Sequence, residues 1–180
     1  RMVRESYPEV DVKVLDSQAA AGGEGVIALE AARASQRGET LGEIVAGTEL
    51  LIPKVQLIAF LDTLHYLGKS GRIPKVTAWA GSILGFKLLT ELSHGEARLM
   101  GRPRSREKAT EQLVNITLDR IGDHPAHVNV MHADALDDAE ELKRKVESVL
   151  NCSEIFISEF TPVMGAHTGP GLLGLAFYSD

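Results

Sequence analysis

Three glycines, a histidine and a threonine lie together near the C-terminus, in the segment Gly165-Ala166-His167-Thr168-Gly169-Pro170-Gly171. Because glycine tolerates positive φ angles and close backbone approach, N–H groups in such a segment can converge on one point. With the His167 imidazole and the Thr168 hydroxyl, they would form a cradle for a carboxylate or a phosphate. The alternative is an ordinary glycine-rich turn between two strands with His167 exposed, and Gly/Pro punctuation in general favours that turn.

Arginines supply further candidates for anion binding. Arg72 lies in the helix-breaking stretch Gly71-Arg72-Ile73-Pro74, where a guanidinium could bind a carboxylate or phosphate bidentately. Arg102, Arg104 and Arg106 alternate along a segment predicted to be extended, which would place all three on one face. The alternatives are a solvated surface side chain for Arg72, and a basic edge that discourages aggregation for the other three.

Histidines raise the question of a metal, but their spacing does not favour one. His124, His127 and His132 share no helical face, because Pro125 and a predicted strand intervene, and no carboxylate or cysteine falls at ligand spacing. We therefore predict no metal site and no cofactor. The sequence also has no Gly-x-x-x-x-Gly-Lys-Ser/Thr loop, no Gly-x-Gly-x-x-Gly fingerprint and no Gly-x-Ser-x-Gly motif. These motifs would be expected of a nucleotide enzyme or a hydrolase.

Composition describes an ordinary globular chain with an acidic balance. Its 180 residues carry a net charge of −6, and 44% of them are hydrophobic. This charge argues against a general nucleic-acid or anionic-membrane surface. The single cysteine, Cys152, excludes an intrachain disulfide and suits a reducing compartment. No apolar run approaches the length of a membrane span, so we predict a cytoplasmic protein with no stable membrane insertion and no nucleic-acid partner.

The elements that must position these residues alternate between strand and helix. Strands are predicted at residues 10–15, 55–61, 86–92, 97–100, 128–131, 153–160 and 172–178. Helices are predicted at residues 26–38, 40–51, 64–69, 76–84, 106–121 and 137–150, and residues 19–25 are interpreted as a small-residue connection. Thr40 and Glu43 have the spacing of a capping box. The hairpin at 86–100 and the terminal strand pair require antiparallel pairing, so the predicted fold class is α/β with a mixed, largely antiparallel sheet and packed helices.

Four ordered stretches resemble the DegV family of bacterial fatty-acid-binding proteins. They are Val14-Leu15-Asp16-Ser17-Gln18, Leu67-Gly68-Lys69-Ser70-Gly71-Arg72-Ile73, Arg104-Ser105-Arg106-Glu107-Lys108-Ala109, and residues 157–171 around the glycine segment. The resemblance implies the fold of the family's second lobe. Under it, residues 1–20 are a remnant of an N-terminal α/β lobe that is largely missing, and residues 21–180 are a C-terminal α/β lipid-binding lobe. We therefore expect the sequence to be a fragment of a longer polypeptide.

The resemblance also implies a function. A long-chain fatty acid would lie in an apolar tunnel with its carboxylate beside His167, and a separate fatty-acid kinase would phosphorylate that carboxylate to an acyl phosphate for phospholipid synthesis. The protein would thus be an acyl carrier and not itself an enzyme. The implied ligand-binding residues are His167, Thr168, Gly165, Arg72, Phe86, Ile83 and Trp79, and the implied partner-binding residues are Arg104, Arg102 and Arg106. Tunnel-wall candidates are Ile58, Phe60, Leu64, Trp79, Ile83, Leu84, Phe86 and Leu88.

Two other classes of function stay open on the residues alone. A small-molecule enzyme could use His167 as acid or base, although it would need a carboxylate or second imidazole to orient the ring. An interaction module could dock through residues 102–106. Family members also hold the carboxylate with a threonine and a serine of the first lobe, and neither motif is present here. This segment alone is therefore expected to bind fatty acid weakly or not at all.

Overall fold

The structure, a computed structural model, describes residues 2–63, 65–70 and 86–179. The described helices are α1 Met2–Ser6, α2 Ala21–Gln36, α3 Leu41–Leu51, α4 His65–Ser70, α5 Arg106–Ile121, α6 Leu136–Val149 and α7 Pro162–Thr168, with a short 3-10 helix at Ile52–Lys54. The strands are β1 Gln56–Leu61, β2 Leu88–Ser93, β3 Glu96–Gly101, β4 Ala126–His132, β5 Cys152–Glu159 and β6 Leu173–Ser179. The helix predicted at 76–84 lies outside the described residues.

The strands form one six-stranded sheet in the order β3-β2-β1-β6-β4-β5. β2 pairs antiparallel with β1 and β3, and β6 pairs antiparallel with β1 and β4. Only the pair of β4 and β5 is parallel in this sheet, and α6 makes the crossover that a parallel connection requires. The predicted fold class, a mixed and largely antiparallel sheet with packed helices, is confirmed.

Alternation along the strands divides the core between two helical layers. Ile58 and Phe60 of β1 point to the face covered by α5 and α6, where they share one apolar cluster with Leu113 and Leu142. Their neighbours on β1 point to the opposite face, where Gly23 of α2 approaches the Leu57 side chain. The sheet is therefore covered on both faces, which explains why β1 and β6 have nearly continuous apolar sequences.

Several local predictions are confirmed. The Thr40 hydroxyl accepts from the Glu43 N–H while the Glu43 carboxylate accepts from the Thr40 N–H, which is the predicted capping box. Ser105 caps α5 by accepting from the N–H of Lys108, and α5 has the predicted bounds. β2 and β3 form a hairpin whose two turn residues, His94 and Gly95, both have positive φ, as a type I′ turn requires.

The prediction that residues 19–25 form a connection is wrong, because α2 already begins at Ala21. Gly22 is buried in its first turn, and a Cβ there would overlap the Met131 side chain and lie 2.7 Å from Asn129 Nδ2. Because glycine has no Cβ, Gly22 lets α2 approach the sheet closely. That approach depends on β4, more than a hundred residues later, so local composition could not reveal it.

The strand predicted at residues 10–15 is also wrong. Residues 11–20 have no regular secondary structure, and the Val14 side chain is 83% exposed. β-branched residues favour a strand only where a neighbouring strand and an apolar surface accept them. The described sheet has β3 and β5 at its edges, so this segment adds no strand to it.

Candidate anion site at one end of the sheet

The predicted site residues gather at one end of the sheet, here called the upper end. β1, β3, β4 and β5 finish there, whereas β2 and β6 begin there. α7, the loop 169–172 and residues 102–105 all adjoin these strand ends. The topology therefore brings the His167 segment and the arginine segment, about sixty residues apart in sequence, to the same end of the molecule.

The glycine segment is mostly helix and not the predicted loop. Gly165, Ala166, His167 and Thr168 belong to α7, so the loop begins only at Gly169. The predicted convergence of glycine N–H groups on an anion is also wrong. The N–H of Gly165 donates to Thr161 O at 2.9 Å, that of Gly169 to Gly165 O at 2.7 Å, and that of Gly171 to Ala133 O at 2.7 Å. Each of the three donors is thus already used by the fold.

His167 lies in the last turn of α7 and is half-buried. Its Nδ1 atom is shielded from solvent and has no hydrogen-bond partner among the described residues. A shielded polar atom of this kind costs free energy unless a ligand satisfies it. Within the described part of the chain no carboxylate pairs with the ring, so the orienting group of an acid–base enzyme is not present there. The ring can instead donate one hydrogen bond to an anion.

Thr168 contributes less to an anion site than its position suggests. Its hydroxyl donates to Met164 O at 3.1 Å, one helical turn back, and lies 3.5 Å from Gly169 O. A hydroxyl has one hydrogen to donate, so Thr168 would have to release its own helix to bind a carboxylate. Gly169 itself has φ +78°, and a Cβ there would overlap the Tyr66 ring of α4. This contact fixes the end of α7 against α4.

Arg106 does not share an exposed face with Arg102 and Arg104, which corrects the prediction of a common docking surface. It is the first residue of α5 and turns inward, where its Nη1 donates to Gly171 O at 2.7 Å and contacts Asp62 Oδ1 at 3.2 Å. Its Nη2 lies 2.7 Å from Asp138 Oδ2. The alternation assumed for an extended segment ends at Ser105, where the helix begins.

Arg102 and Arg104 do remain exposed, as the alternation predicts. The Arg104 guanidinium lies over the half-buried ring of Phe86, with Cζ 5.7 Å from the ring centroid, a cation–π geometry. A predicted partner-binding residue therefore contacts a predicted ligand-binding residue. Of the other ligand-binding predictions, Arg72, Trp79 and Ile83 lie outside the described residues.

Two tunnel-wall candidates belong to the ordinary core. Ile58 and Phe60 are fully buried on the face of β1 that packs against α5 and α6. A second apolar cluster lies on the opposite face at the upper end and consists of Ala59, Leu61, Leu67, Ala133 and Leu172, with Phe160 packed against it. Leu88 points to this second face, because it pairs with Leu61 in the antiparallel register.

A cavity of about 600 Å³ lies at the opposite, lower end of the sheet. It is lined by residues 14–19, Glu49, Leu57, Leu92 and His94, among others. At roughly 3.3 Å per residue, β1 separates this cavity from the upper end by roughly 17 Å. The cavity and the His167 segment are therefore two separate features of the molecule.

One group of possible metal ligands occurs among the described residues, formed by Glu30, His127 and Glu154. The Arg33 guanidinium occupies it, donating to Glu30 at 2.6 Å and to both oxygens of Glu154 at 2.6 and 2.8 Å. The hydrogen bonds from Arg33 lower the pKa of the Glu154 carboxyl below its usual value. The cluster is thus an ion-pair network in which the Arg33 guanidinium binds both carboxylates.

Sequence reasoning missed Asp62 and Lys87 at the upper end. Lys87 Nζ lies 3.1 Å from the same Asp62 oxygen that Arg106 contacts. Asp62 is free for these contacts because the Thr63 hydroxyl, and not Asp62, accepts from the His65 N–H at the start of α4. The sequence signal that could have found them is a charged residue directly after or directly before a buried strand, because a charge at such a position is paired or solvated.

The fold is an α/β lobe in which the half-buried His167 lies at one end of a mixed sheet. The model of the DegV family, described as an uncharacterised protein family, matches residues 1–180. The chain therefore belongs to the DegV family. It is 36% identical over 171 residues to a DegV domain-containing protein of Streptomyces coelicolor, and the match covers 94% of this chain and 61% of that protein. The chain thus spans about three fifths of the length of this relative.

Solved structures of the family have the same fold. A DegV family protein from Thermus thermophilus, described as binding fatty acid, matches with a TM-score of 0.88 and 29% identity, covering 99% of this chain and 64% of that one. A DegV family protein from Eubacterium eligens loaded with heptadecanoic acid matches with a TM-score of 0.88 and 21% identity, over 99% and 65% of the two chains. At that identity the second likeness concerns the fold alone. No helix in the described ranges combines the length and the apolarity that a membrane span needs.

Proposed function

We propose that residues 21–180 form the second lobe of a two-lobe fatty-acid-binding protein and that residues 1–20 join it to the first lobe. The observation that carries this proposal is the solvent-shielded Nδ1 atom of His167, which has no partner within the described part of the chain. The DegV family protein from Thermus thermophilus, which this chain resembles, is described as binding fatty acid. A fatty acid offers both the anion that His167 needs and an apolar tail.

In this proposal the tail supplies affinity and the carboxylate supplies orientation. Burial of about 0.8 kcal/mol per CH₂ gives roughly 10 kcal/mol for a chain of about 16 carbons, before association costs. The apolar side chains around Leu61, Leu67 and Leu172 would receive the part of the tail next to α7. His167 would donate one hydrogen bond to a carboxylate oxygen. Thr168, Gly165 and the undescribed Arg72, Trp79 and Ile83 remain predicted ligand contacts.

The affinity of His167→Ala for palmitate tests the proposal in the polypeptide that carries both lobes. Loss of a hydrogen bond to a charged group corresponds to about tenfold to hundredfold weaker binding. His124→Ala is the matched control, since His124 is exposed in the loop before β4, at the lower end of the sheet. We expect the control to bind as tightly as the unchanged protein. Equal affinities of all three proteins would contradict the role of His167.

A fatty-acid kinase is the partner that this arrangement fits. The bound carboxylate would attack the γ-phosphorus of ATP held by the kinase, forming an acyl phosphate and releasing ADP. The exposed Arg104 and Arg102 lie at the same end of the sheet as His167, so a partner docked on them would be near the carboxylate. The developing charge on the transferred phosphoryl group favours cations nearby. The cytoplasm, where ATP is available, is the proposed location.

Arg104→Ala separates docking from ligand binding. We expect this variant to lower the rate of acyl phosphate formation with the kinase at least tenfold while palmitate affinity changes less than twofold. Lys108→Ala removes an exposed positive charge one helical turn further along and serves as the control. A fall in palmitate affinity with an unchanged rate of transfer would refute the docking role of Arg104.

A further inference from the structure

Arg106 joins three separate parts of the chain at the upper end of the sheet. Its Nη1 contacts the Gly171 carbonyl at 2.7 Å and Asp62 at 3.2 Å, and its Nη2 contacts Asp138 at 2.7 Å. The guanidinium also lies over the Phe60 ring, with Cζ 5.2 Å from the centroid. A planar guanidinium can satisfy several acceptors at once, so it is suited to hold a loop in a fixed place.

Both backbone polar groups of Gly171 form hydrogen bonds. Its N–H donates to Ala133 O at 2.7 Å, and its carbonyl accepts from Arg106 at 2.7 Å. Gly171 has φ +84°, and a Cβ at this position would lie 2.9 Å from Asp62 Oδ2. Arg106 and Asp62 therefore surround a residue whose conformation and space both require glycine.

Gly171 belongs to the loop that follows α7. His167 precedes Gly171 by four residues, and the intervening Gly169 is packed under the Tyr66 ring. The orientation of α7 is thus set by two contacts. Tyr66 of α4 packs on Gly169, and Arg106 binds the Gly171 carbonyl. The charge of Arg106 is balanced by two carboxylates, Asp62 and Asp138, so little of it is available to a docking partner.

We propose that Arg106 is a positioning residue for the fatty-acid carboxylate: it fixes the loop after α7 through the Gly171 carbonyl and so holds His167 at its binding distance. This inference rests on the proposed function of His167. Arg106 acts through the loop and does not touch the ligand. Removing its guanidinium frees the Gly171 carbonyl and leaves Asp62 with Lys87 as its one remaining cation in the described network.

Arg120 provides a matched control on the same helix. It donates to Gln56 and Glu91 at 2.7 Å each, and its side chain is 25% exposed, against 26% for Arg106. It thus has similar burial and similar polar contacts but holds no part of the loop. Any loss of general stability should be shared by Arg106→Gln and Arg120→Gln, whereas a loss of loop order should be confined to Arg106→Gln.

The test measures amide hydrogen exchange and palmitate affinity in the polypeptide that carries both lobes. In Arg106→Gln we expect the Gly171 amide of the ligand-free protein to exchange about tenfold faster and palmitate to bind about tenfold more weakly, the change that loss of one charge-assisted hydrogen bond produces. Arg120→Gln should leave both quantities within twofold of the unchanged protein. Asp62→Asn should alter both in the same direction by a smaller factor, and it replaces Arg106→Gln if that variant does not fold.

The outcomes are distinguishable. Unchanged Gly171 exchange in Arg106→Gln, or an equal change in Arg120→Gln, would overturn the positioning role whether or not palmitate binds. Faster Gly171 exchange with unchanged palmitate affinity would also overturn it, because the loop would then not position the ligand. If the unchanged protein binds no palmitate, the proposed function fails. The inference about the carboxylate then fails with it, while the exchange data still report whether Arg106 holds the loop.

Discussion

Gly22 and Gly25 belong to the same helix, α2, but have opposite surroundings. Gly22 is buried against Met131 and Asn129, whereas a Cβ at the exposed Gly25 would meet nothing within 4 Å. Overpacking a buried position costs about 1–3 kcal/mol. Replacing glycine by alanine in an exposed helix interior instead stabilises by about 0.5–1 kcal/mol. The same substitution should therefore have opposite signs at these two residues.

We predict that Gly22→Ala lowers the free energy of unfolding and that Gly25→Ala raises it. Urea denaturation monitored by circular dichroism measures both changes, and each variant controls for the other because the helix and the substitution are the same. A stabilising Gly22→Ala would show that α2 does not lie against Met131. The close approach of α2 to the sheet would then have to be abandoned.

Acid stability should depend on the ion pair of Arg33 and Glu154. Hydrogen bonds from Arg33 lower the pKa of Glu154, and His127 lies 3.6 Å from the same carboxylate. A lowered folded-state pKa stabilises the fold above the unfolded-state pKa, which is about 4.3, and this stabilisation is lost as pH falls through the folded-state value. The unchanged protein should thus lose stability as the solution is acidified from about pH 5 to pH 3.

Arg33→Gln should reduce this acid-dependent loss, because Glu154 then titrates more nearly alike in the folded and unfolded chains. Thermal unfolding midpoints at a series of pH values measure it. Arg37→Gln is the control, since Arg37 pairs with Glu39 at the surface with 59% of its side chain exposed. An Arg33→Gln profile as steep as that of the control would be inconsistent with the pairing described.

At the scale of the element, the N-terminus of α3 depends on Thr40. Its hydroxyl accepts from the Glu43 N–H, one of the donors that a helix start leaves without an intrahelical partner. Thr40→Ala should lower the free energy of unfolding by about 1 kcal/mol. Ser148→Ala, an exposed change inside α6, should stay within about 0.5 kcal/mol of the unchanged protein. Urea denaturation that gave equal values for the two variants would count against the cap.

Elements with strong local signals could be predicted from the sequence. The capping box of Thr40, the helix at 106–121 and the hairpin at 86–100 depend on neighbouring residues, and each is found where it was expected. The predictions for residues 10–15 and 19–25 are both wrong because packing against distant residues overrides local propensity in these segments. The first has strand-forming residues without a strand beside it, and the second has helix-weakening glycines whose cost is offset by close packing on β4.

The candidate site was predictable in its residues but not in its geometry. The glycine, histidine and threonine residues of the segment 165–171 indicated a ligand-binding segment. The N–H groups of its three glycines nevertheless donate to carbonyls of the fold, and that of Gly171 donates to Ala133, which follows β4. Arg106 was grouped with Arg102 and Arg104 because spacing alone cannot show that a helix begins at residue 106 and turns the side chain inward. Its partners Asp62 and Asp138 come from distant parts of the sequence.

At the scale of the whole molecule, antiparallel pairing is what assembles the candidate site. β6 runs between β1 and β4, so the loop before it meets the ends of both, and β2 brings Phe86 and Lys87 to the same end. The His167 segment and the Arg104 segment therefore share one end of the sheet, while a cavity of about 600 Å³ lies at the other. Palmitate bound as proposed above would lie at the upper end and not in this cavity.

A crystal structure of the polypeptide with both lobes, grown with palmitate, tests this placement most directly. We expect a palmitate carboxylate oxygen about 2.7–3.0 Å from a ring nitrogen of His167, with the first part of the tail against Leu61 and Leu172. Palmitate bound instead in the cavity between residues 14–19 and His94, with its carboxylate remote from His167, would contradict the account.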